Sequence, residues 1–339
     1  MSSHFKMSRR SFLGAGAASA AAISGLPVLG GGRALAADAA THQLSWIKSM
    51  QYGGYFAGLD QGIYKKYGID ATFNSGGPNI DPIAGVASGQ SMFGDRPIGT
   101  LLIARDKGIP IKVIGNVFAK SPFCIISMAS KPIKSVKELE GKTMPVATST
   151  RPLITYLLKS AGVDPRSVTF LPSSPDPSGL MTGQYDAISG YSTNQGVLLQ
   201  SKGAELFMLN VQELGIPETT GTIYAREDFL EKNRDLVVRY LKASAESWRW
   251  ALDHPEKTTK LMMEKYGVPG LDYKASITEI TASKPFIEAG PKGAKGLLAL
   301  DMKLYEQIID VYRKVDMIKT DMKVKDIVDD SFINAALAS

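Results

Sequence analysis

Two kinds of segment alternate along this chain from about residue 44 onward: short stretches in which apolar and polar residues interchange, and longer ones with apolar residues every three or four positions. Residues 44–47 read as a strand, and 55–67 as a helix in which Phe56, Leu59, Ile63 and Tyr67 share a face and Gly68 supplies the C-cap. Residues 69–74 follow strict period two, 75–79 form a turn, and 81–87 a helix. A strand at 91–93, a helix at 98–106 and a strand at 111–118 complete an α/β lobe with a largely parallel sheet. The grammar then restarts. An apolar strand at 123–128, a short helix at 136–139, a strand at 143–147, a helix at 153–161 and further short segments at 168–171, 179–182 and 187–190 predict a second α/β lobe.

From Glu227 the pattern is helical. Val237, Leu241, Ser244, Trp248 and Leu252 form one stripe that faces a core. Helices are expected at 273–281, 297–315 and 324–329, with 284–296 as an irregular surface loop rich in Lys, Gly and Pro.

The first 36 residues stand outside this scheme. Ser8-Arg9-Arg10-Ser11-Phe12-Leu13 is a twin-arginine pattern, a run of Ala, Gly and Leu follows, and Ala34-Leu35-Ala36 has the small-x-small form of a cleavage site. Pro27 and Gly30 to Gly32 interrupt the run, so an export signal is expected there and stable membrane insertion is not. The leader carries four of the 39 basic residues and none of the 33 acidic ones, which leaves 35 against 33 and a net charge of +2. Nothing in that balance calls for nucleic acid or an anionic membrane. Cys124 is the single cysteine, so neither an internal disulfide nor a cysteine zinc site is available. Of the three histidines, His4 leaves with the leader, His42 lies near the new N-terminus and His254 reads as an exposed helix end. Chemistry that depends on histidine has little to draw on, and no metal or cofactor is expected.

Candidate binding residues fall where strands end, the place at which open α/β sheets bind ligands. Gln51 to Tyr55, the turn Asn74 to Asn79 with Ser75 and Gly76, Gly94-Asp95-Arg96, Thr148-Ser149-Thr150-Arg151, and the run from Gly190 through Tyr191 and Asn194 to Gln195 each join glycine or small residues to a hydrogen-bonding or aromatic side chain. Each also has a plainer reading. Gly76 and Gly77 make an ordinary turn, Thr148 to Thr150 cap a helix, Tyr191 and Tyr185 fill a core, and Asp95 pairs with Arg96 at a surface. Their recurrence at strand ends in both lobes favours a cleft.

At this point the residues resemble a family. The opening Gly54-Tyr55-Phe56-x-Gly58-Leu59-x-x-Gly62-Ile63-Tyr64-Lys65-Lys66-Tyr67-Gly68-Ile69 is similar to that of periplasmic solute-binding proteins of the sulfonate, nitrate and thiamine-pyrimidine group, the SsuA/THI5-like or NMT1-like proteins. Leu139-x-Gly141-Lys142, Gly183-Gln184-Tyr185-Asp186-Ala187, Asn194-Gln195, Ala225-Arg226-Glu227-Asp228-Phe229-Leu230 and His254-Pro255-Glu256 match in the same order. The resemblance implies a type II periplasmic-binding-protein fold: lobe one from residues 37–121 and 224–339, lobe two from 122–223, and a two-segment hinge between them. It implies capture of a small organic solute by hinge closure, then delivery to an ABC permease with its ATPase, by a monomer in the periplasm.

Carried over by position, the glycines would let the first helix approach the ligand, with Gln51 hydrogen-bonding it and Tyr52 or Tyr55 lying flat against it. Thr148, Ser149, Thr150 and Arg151 would form the matching helix N-terminus of lobe two, Tyr191 and Asn194 the opposite wall, and Arg151 the partner of any anionic group. The tyrosine-rich opening favours an aromatic or heterocyclic solute such as a thiamine-type pyrimidine, with an aliphatic sulfonate of the taurine type as the alternative. A sensing protein for a receptor is a further option. An enzyme is not expected, because the family's pyrimidine-forming catalysts depend on histidine and a cysteine-rich segment that this chain lacks.

Overall fold

A computed structural model describes residues 37–338 apart from positions 149, 212, 215 and 216, so the expected export signal at 1–36 lies outside the described residues, as does Ser149. The strands are β1 (Asp38–Gln43), β2 (Ile69–Asn74), β3 (Phe93–Arg96), β4 (Ile111–Phe118), β5 (Phe123–Met128), β6 (Thr143–Val146), β7 (Thr169–Pro172), β8 (Ile188–Tyr191), β9 (Leu206–Asn210) and β10 (Thr220–Arg226). The predicted alternation in β2 is observed: Ile69, Ala71 and Phe73 are buried and Asp70 and Thr72 exposed, which suits a sheet edge with one wet face.

One sheet has the order β2-β1-β3-β10-β4, another β8-β5-β9, and β6 pairs with β7 alone. β1 runs parallel to β2 and β3, but β10 is antiparallel to both β3 and β4. The first sheet is therefore mixed and not largely parallel, because β10 enters it on the return from β9. The chain passes between the two larger sheets twice, from β4 to β5 and from β9 to β10. The main apolar core takes side chains from both, Ile114 and Ile223 as well as Phe123 and Ile125. The outer side of β4 is covered by bridges from Val113 to Val328 and from Asn116 to Leu298, so it does not stand as an open edge.

Several boundaries differ from the sequence pattern for identifiable reasons. The first strand is Asp38–Gln43 and not 44–47, since His42 is a buried partner of other side chains and not a residue of a loose terminus. The third strand begins at Phe93 and continues through Asp95 and Arg96, both buried despite their charge. The helix predicted at 55–67 is two helices, Gly53–Asp60 and Ile63–Lys66, separated by Gly62 at φ 66°. Residues 297–300 are not helical; the helix Met302–Lys314 starts at the Asp301 carboxylate, which accepts from the backbone N–H groups of Lys303 and Leu304. The helix Tyr273–Ile287 runs past its predicted end at 281 and contains Pro285.

The glycine-rich opening of the first helix faces another helix. Gly53–Asp60 packs on Arg234–Asp253, where a Cβ on Gly54 would fall inside the Trp248 indole and one on Gly58 against the Ser247 hydroxyl. A Cβ on Gly53 would lie 2.9 Å from the Thr258 methyl carbon. These glycines let two helices approach closely and do not admit a ligand. Replacing Gly54 by Ala forces Trp248 to move and is expected to cost about 1–3 kcal/mol. Gly77→Ala, at a site with room for a methyl group, should stay within about 0.5 kcal/mol of the parent. Urea unfolding monitored by circular dichroism compares the two.

Candidate functional site

Loops from the carboxyl ends of β1, β3, β6 and β7 converge on one cavity of about 80 Å³. Ser45 and Trp46 follow β1, Gln51 belongs to the short turn Met50–Tyr52, and Pro97 follows β3. Facing them are Pro145, Ala147 and Thr150 around the end of β6, Pro172 at the end of β7 with Ser173 and Ser174 after it, then Pro177 and Tyr185. Ile188 to Tyr191 of β8 and Gln195 complete the wall. No Asp, Glu, Lys, Arg or His is among the described residues that line it. The lining is aromatic rings, proline faces and neutral hydrogen-bonding groups.

A buried carboxylate organises the first wall. Asp95, 1% exposed, accepts from the Ser45 hydroxyl at 2.6 Å, the Ser45 backbone N–H at 3.2 Å and the Tyr52 hydroxyl at 3.5 Å, and its Oδ1 lies 3.2 Å from His42 Nε2. The Tyr52 oxygen in turn accepts from the Trp46 backbone N–H at 2.9 Å and Gln51 Nε2 at 3.2 Å. Burial first, and then the charge of Asp95, push the Tyr52 phenol well above its ordinary range, so it remains a neutral hydroxyl. Gly76 holds the same loop from outside. Its N–H donates to the Trp46 carbonyl at 2.9 Å, and a Cβ there would strike the Leu44 carbonyl.

The second wall is fixed by its own contacts. The Tyr191 N–H donates to Gln195 Oε1 at 2.8 Å, and a Cβ on Gly190 would lie 2.7 Å from that oxygen, so glycine at 190 lets the Gln195 side chain fold over the strand. The Tyr191 hydroxyl bonds the Thr220 hydroxyl at the start of β10. Burial pushes this phenol up as well.

Of the residues expected from sequence, Gln51, Thr150 and Tyr191 meet at the cavity. Tyr52 and Asp95 stand one layer behind Ser45 and Trp46. Tyr55 is a core residue, stacked on Phe73 at 4.8 Å and edge-on to Trp248, and it does not offer the flat face assigned to it. Arg96 is 2% exposed and bonds Asp81 at 2.9 Å; Asp95 and Arg96 do not pair with each other, because neighbours in a strand point to opposite faces. Ser75 is exposed, with its carbonyl taken by Gln43 Nε2. Thr148 donates to the Pro78 carbonyl at 3.2 Å and joins the loops after β6 and β2. Arg151 is exposed and places its guanidinium 4.4 Å from the centre of the Phe170 ring, away from the cavity. Asn194 does not line the cavity; its neighbour Gln195 does.

Sequence reasoning missed Trp46, which it placed inside a strand. It also passed over Pro172 to Pro177, although that run of Pro and Ser directly after a strand is a legible loop signal.

The folded chain is an α/β protein of the periplasmic-binding-protein type. The family model described as NMT1/THI5 like matches residues 49–258, and the chain belongs to that family. It is 22% identical over 309 residues to the riboflavin-binding protein RibY of Chloroflexus aurantiacus, covering 86% of this chain and 85% of that one. It is 19% identical over 225 residues to a formylaminopyrimidine-binding protein of Halalkalibacterium halodurans, covering 65% and 68%. Among solved structures, the periplasmic aliphatic sulphonate binding protein SsuA from Escherichia coli superposes with a TM-score of 0.63 at 16% identity, over 85% of this chain and 91% of that one. The desulfurization enzyme DSZB gives 0.58 at 14% identity, over 89% and 99%. This fold thus serves both binding proteins and an enzyme. No helix of the described residues is long and apolar enough to cross a membrane.

Tyr52→Phe removes the acceptor for the Trp46 N–H and a donor to the buried Asp95. It is expected to destabilise the protein by about 1–3 kcal/mol, read from chemical denaturation.

Proposed function

We propose that this chain is the solute-binding component of an ABC importer and that it captures a neutral, planar heteroaromatic solute between two hinged lobes. The observation that carries this reading is the uncharged cavity walled by Trp46, Tyr185, Tyr191 and several prolines, with Ser45, Gln51, Thr150, Ser189 and Gln195 as neutral donors and acceptors. Aromatic and proline faces suit a flat ring, and amides and hydroxyls suit the mixed N–H and C=O edge of a pyrimidine or flavin. Two relatives are named for such heterocycles.

The lobes are residues 37–121 with 224–339 and residues 122–223, and the passages from β4 to β5 and from β9 to β10 are the hinge. Export by the twin-arginine signal, with a mature chain that starts at Ala37, puts this monomer in the periplasm beside its permease and ATPase. The described residues of the lining offer hydroxyl and amide groups that can hold a solute by neutral hydrogen bonds.

The test is thermal unfolding of the ligand-stripped mature protein with riboflavin, a formylaminopyrimidine, ethanesulfonate and nitrate. A ligand at a hundred times its dissociation constant should stabilise the native state by about 2.7 kcal/mol. A heterocycle is expected to raise the midpoint. Trp46→Ala should weaken its binding by about tenfold or more, a loss of about 1.4 kcal/mol, while Arg151→Ala changes it less than about twofold, an effect well under that figure. A shift with ethanesulfonate alone, or dependence on Arg151, defeats this reading.

A further inference from the structure

A hydroxyl has one proton to give and two lone pairs to offer, so where its proton already goes decides what it can do for a ligand. Around the cavity these protons are taken. Ser45 gives its proton to Asp95 at 2.6 Å, Thr150 to the Ala147 carbonyl at 3.3 Å and Tyr185 to the Pro177 carbonyl at 3.1 Å. Each partner oxygen is an acceptor with no proton to return, and turning any of the three protons toward a ligand breaks the bond it already makes. The three residues line the cavity and have lone pairs left to offer it. Gln51 spends an Nε2 hydrogen on the Tyr52 oxygen at 3.2 Å, and its side-chain carbonyl has no partner among the described residues.

Gln195 is the exception. Its Oε1 accepts from the Tyr191 N–H at 2.8 Å. A backbone N–H cannot itself accept, so this bond fixes which end of the amide is oxygen. A Cβ on Gly190 would lie 2.7 Å from Oε1 and 3.0 Å from the amide carbon, so the side chain lies on the strand through its oxygen and Nε2 is the free end. Neither Nε2 hydrogen has a partner among the described residues. The Trp46 indole, Ser173 and Ser174 also carry free protons, but no side-chain hydrogen bond among the described residues fixes the first two, and Ser174 is exposed. Gln195 is thus the donor that the wall holds in place.

We propose that Gln195 is the specificity-determining residue of the cavity: its Nε2 donates to a carbonyl of the solute, while the lone pairs of Ser45, Thr150, Tyr185 and Gln51 call for N–H groups on the other edges. The solute is then a neutral heteroaromatic ring with one oxo and at least one amino substituent. This deepens the heteroaromatic reading above and rests on it. A carbonyl set against those lone pairs faces acceptor with acceptor and gives up the water that had satisfied both. An amino group set against Nε2 faces donor with donor and fares no better.

Three pteridines of one size and shape test this. Lumazine carries two oxo groups, pterin one oxo and one amino, and diaminopteridine two amino groups. In fluorescence titrations the mature protein should bind pterin at least about tenfold more tightly than either of the others, a difference of about 1.4 kcal/mol. Gln195→Glu still accepts the Tyr191 N–H but turns the free end from donor to acceptor, so the preference should pass to diaminopteridine by about tenfold. A merely structural role for Gln195 would weaken all three alike. Hydrogen exchange without ligand checks how the amide is held. Gln195→Met should lose about tenfold or more of the protection at the Tyr191 amide, whereas Gln195→Glu keeps it.

Lumazine bound as tightly as pterin overturns the proposal, as does an unchanged order of affinities in Gln195→Glu or full Tyr191 protection in Gln195→Met. Binding of riboflavin with none of the pteridines overturns it too, and leaves the heteroaromatic reading standing. If ethanesulfonate binds and no heterocycle does, the heteroaromatic reading has failed, and the Tyr191 exchange still decides how Gln195 is held. If Gln195→Met does not fold, the order of affinities in Gln195→Glu decides.

Discussion

The Asp95 carboxylate, sealed from water inside the sheet, sets the terms for everything around it. A buried carboxylate has to be solvated by the protein, since leaving it without donors costs several kcal/mol. Its donors come from β1, from Ser45 two residues beyond β1 and from the turn Met50–Tyr52. Satisfying one charge therefore fixes where β1 ends, how Ser45 and Trp46 turn, and where Gln51 sits. His42 extends the network to the Tyr240 hydroxyl at 2.6 Å and so to the long helix Arg234–Asp253. Parallel pairing of β1 with β3 is what brings His42 and Asp95 together. The next residue, Arg96, turns to the other face and takes Asp81, whose carboxylate also caps the helix Pro82–Ala87. Two adjacent opposite charges thus organise two faces of one strand.

The second wall has no comparable charge and is held by shape and neutral hydrogen bonds. Gly190 lets Gln195 fold over β8, and the Tyr191 hydroxyl ties that strand to Thr220, where the chain re-enters the first sheet. The helix Arg151–Ser160 adds a stack of Tyr156 on Tyr312 at 4.9 Å, and the Tyr312 hydroxyl donates to the buried Glu218. Gly99 has to be glycine for that stack to form, because a Cβ there would overlap the Tyr312 ring. Burial raises Glu218 to about 8, and the hydrogen bond from the Tyr312 hydroxyl offsets only part of that rise.

How much of this was legible follows from what kind of signal each residue leaves. Regular apolar spacing marked β2, β4, β5 and the helix Ile98–Asp106 well, since their burial follows period two or 3.6. Residues buried for electrostatic reasons leave no such trace. His42, Asp95 and Arg96 read as terminal or loop residues in a hydropathy pattern, although their partners lie 198, 50 and 15 positions away. The same blindness moved the first strand onto residues 44–47 and hid Trp46 within it. Glycine was visible, but its purpose was not. Gly54 and Gly58 make room for Trp248 and Ser247 of a helix nearly 200 residues later, a relation that only the fold supplies. Arg151 illustrates the converse. A cation at a helix start beside a strand end looks like an anion receptor until Phe170, on a strand paired with β6, is found beneath it.

The distribution of charge also bears on which ligand the cavity suits. An anion entering it would meet no cation, since Arg151 lies on Phe170 and Arg96 on Asp81, and would have only hydroxyl and amide donors to replace its water. On the proposed reading, a lining without cations among the described residues disfavours a sulfonate and suits a neutral solute. Such a solute gains from the apolar faces of Trp46, Tyr185 and the prolines, and it can use Gln51 and Gln195, whose amides both donate and accept. The Asp95 network that builds the first wall therefore also places Ser45, Trp46 and Gln51, the residues that such a solute would meet on the proposed reading.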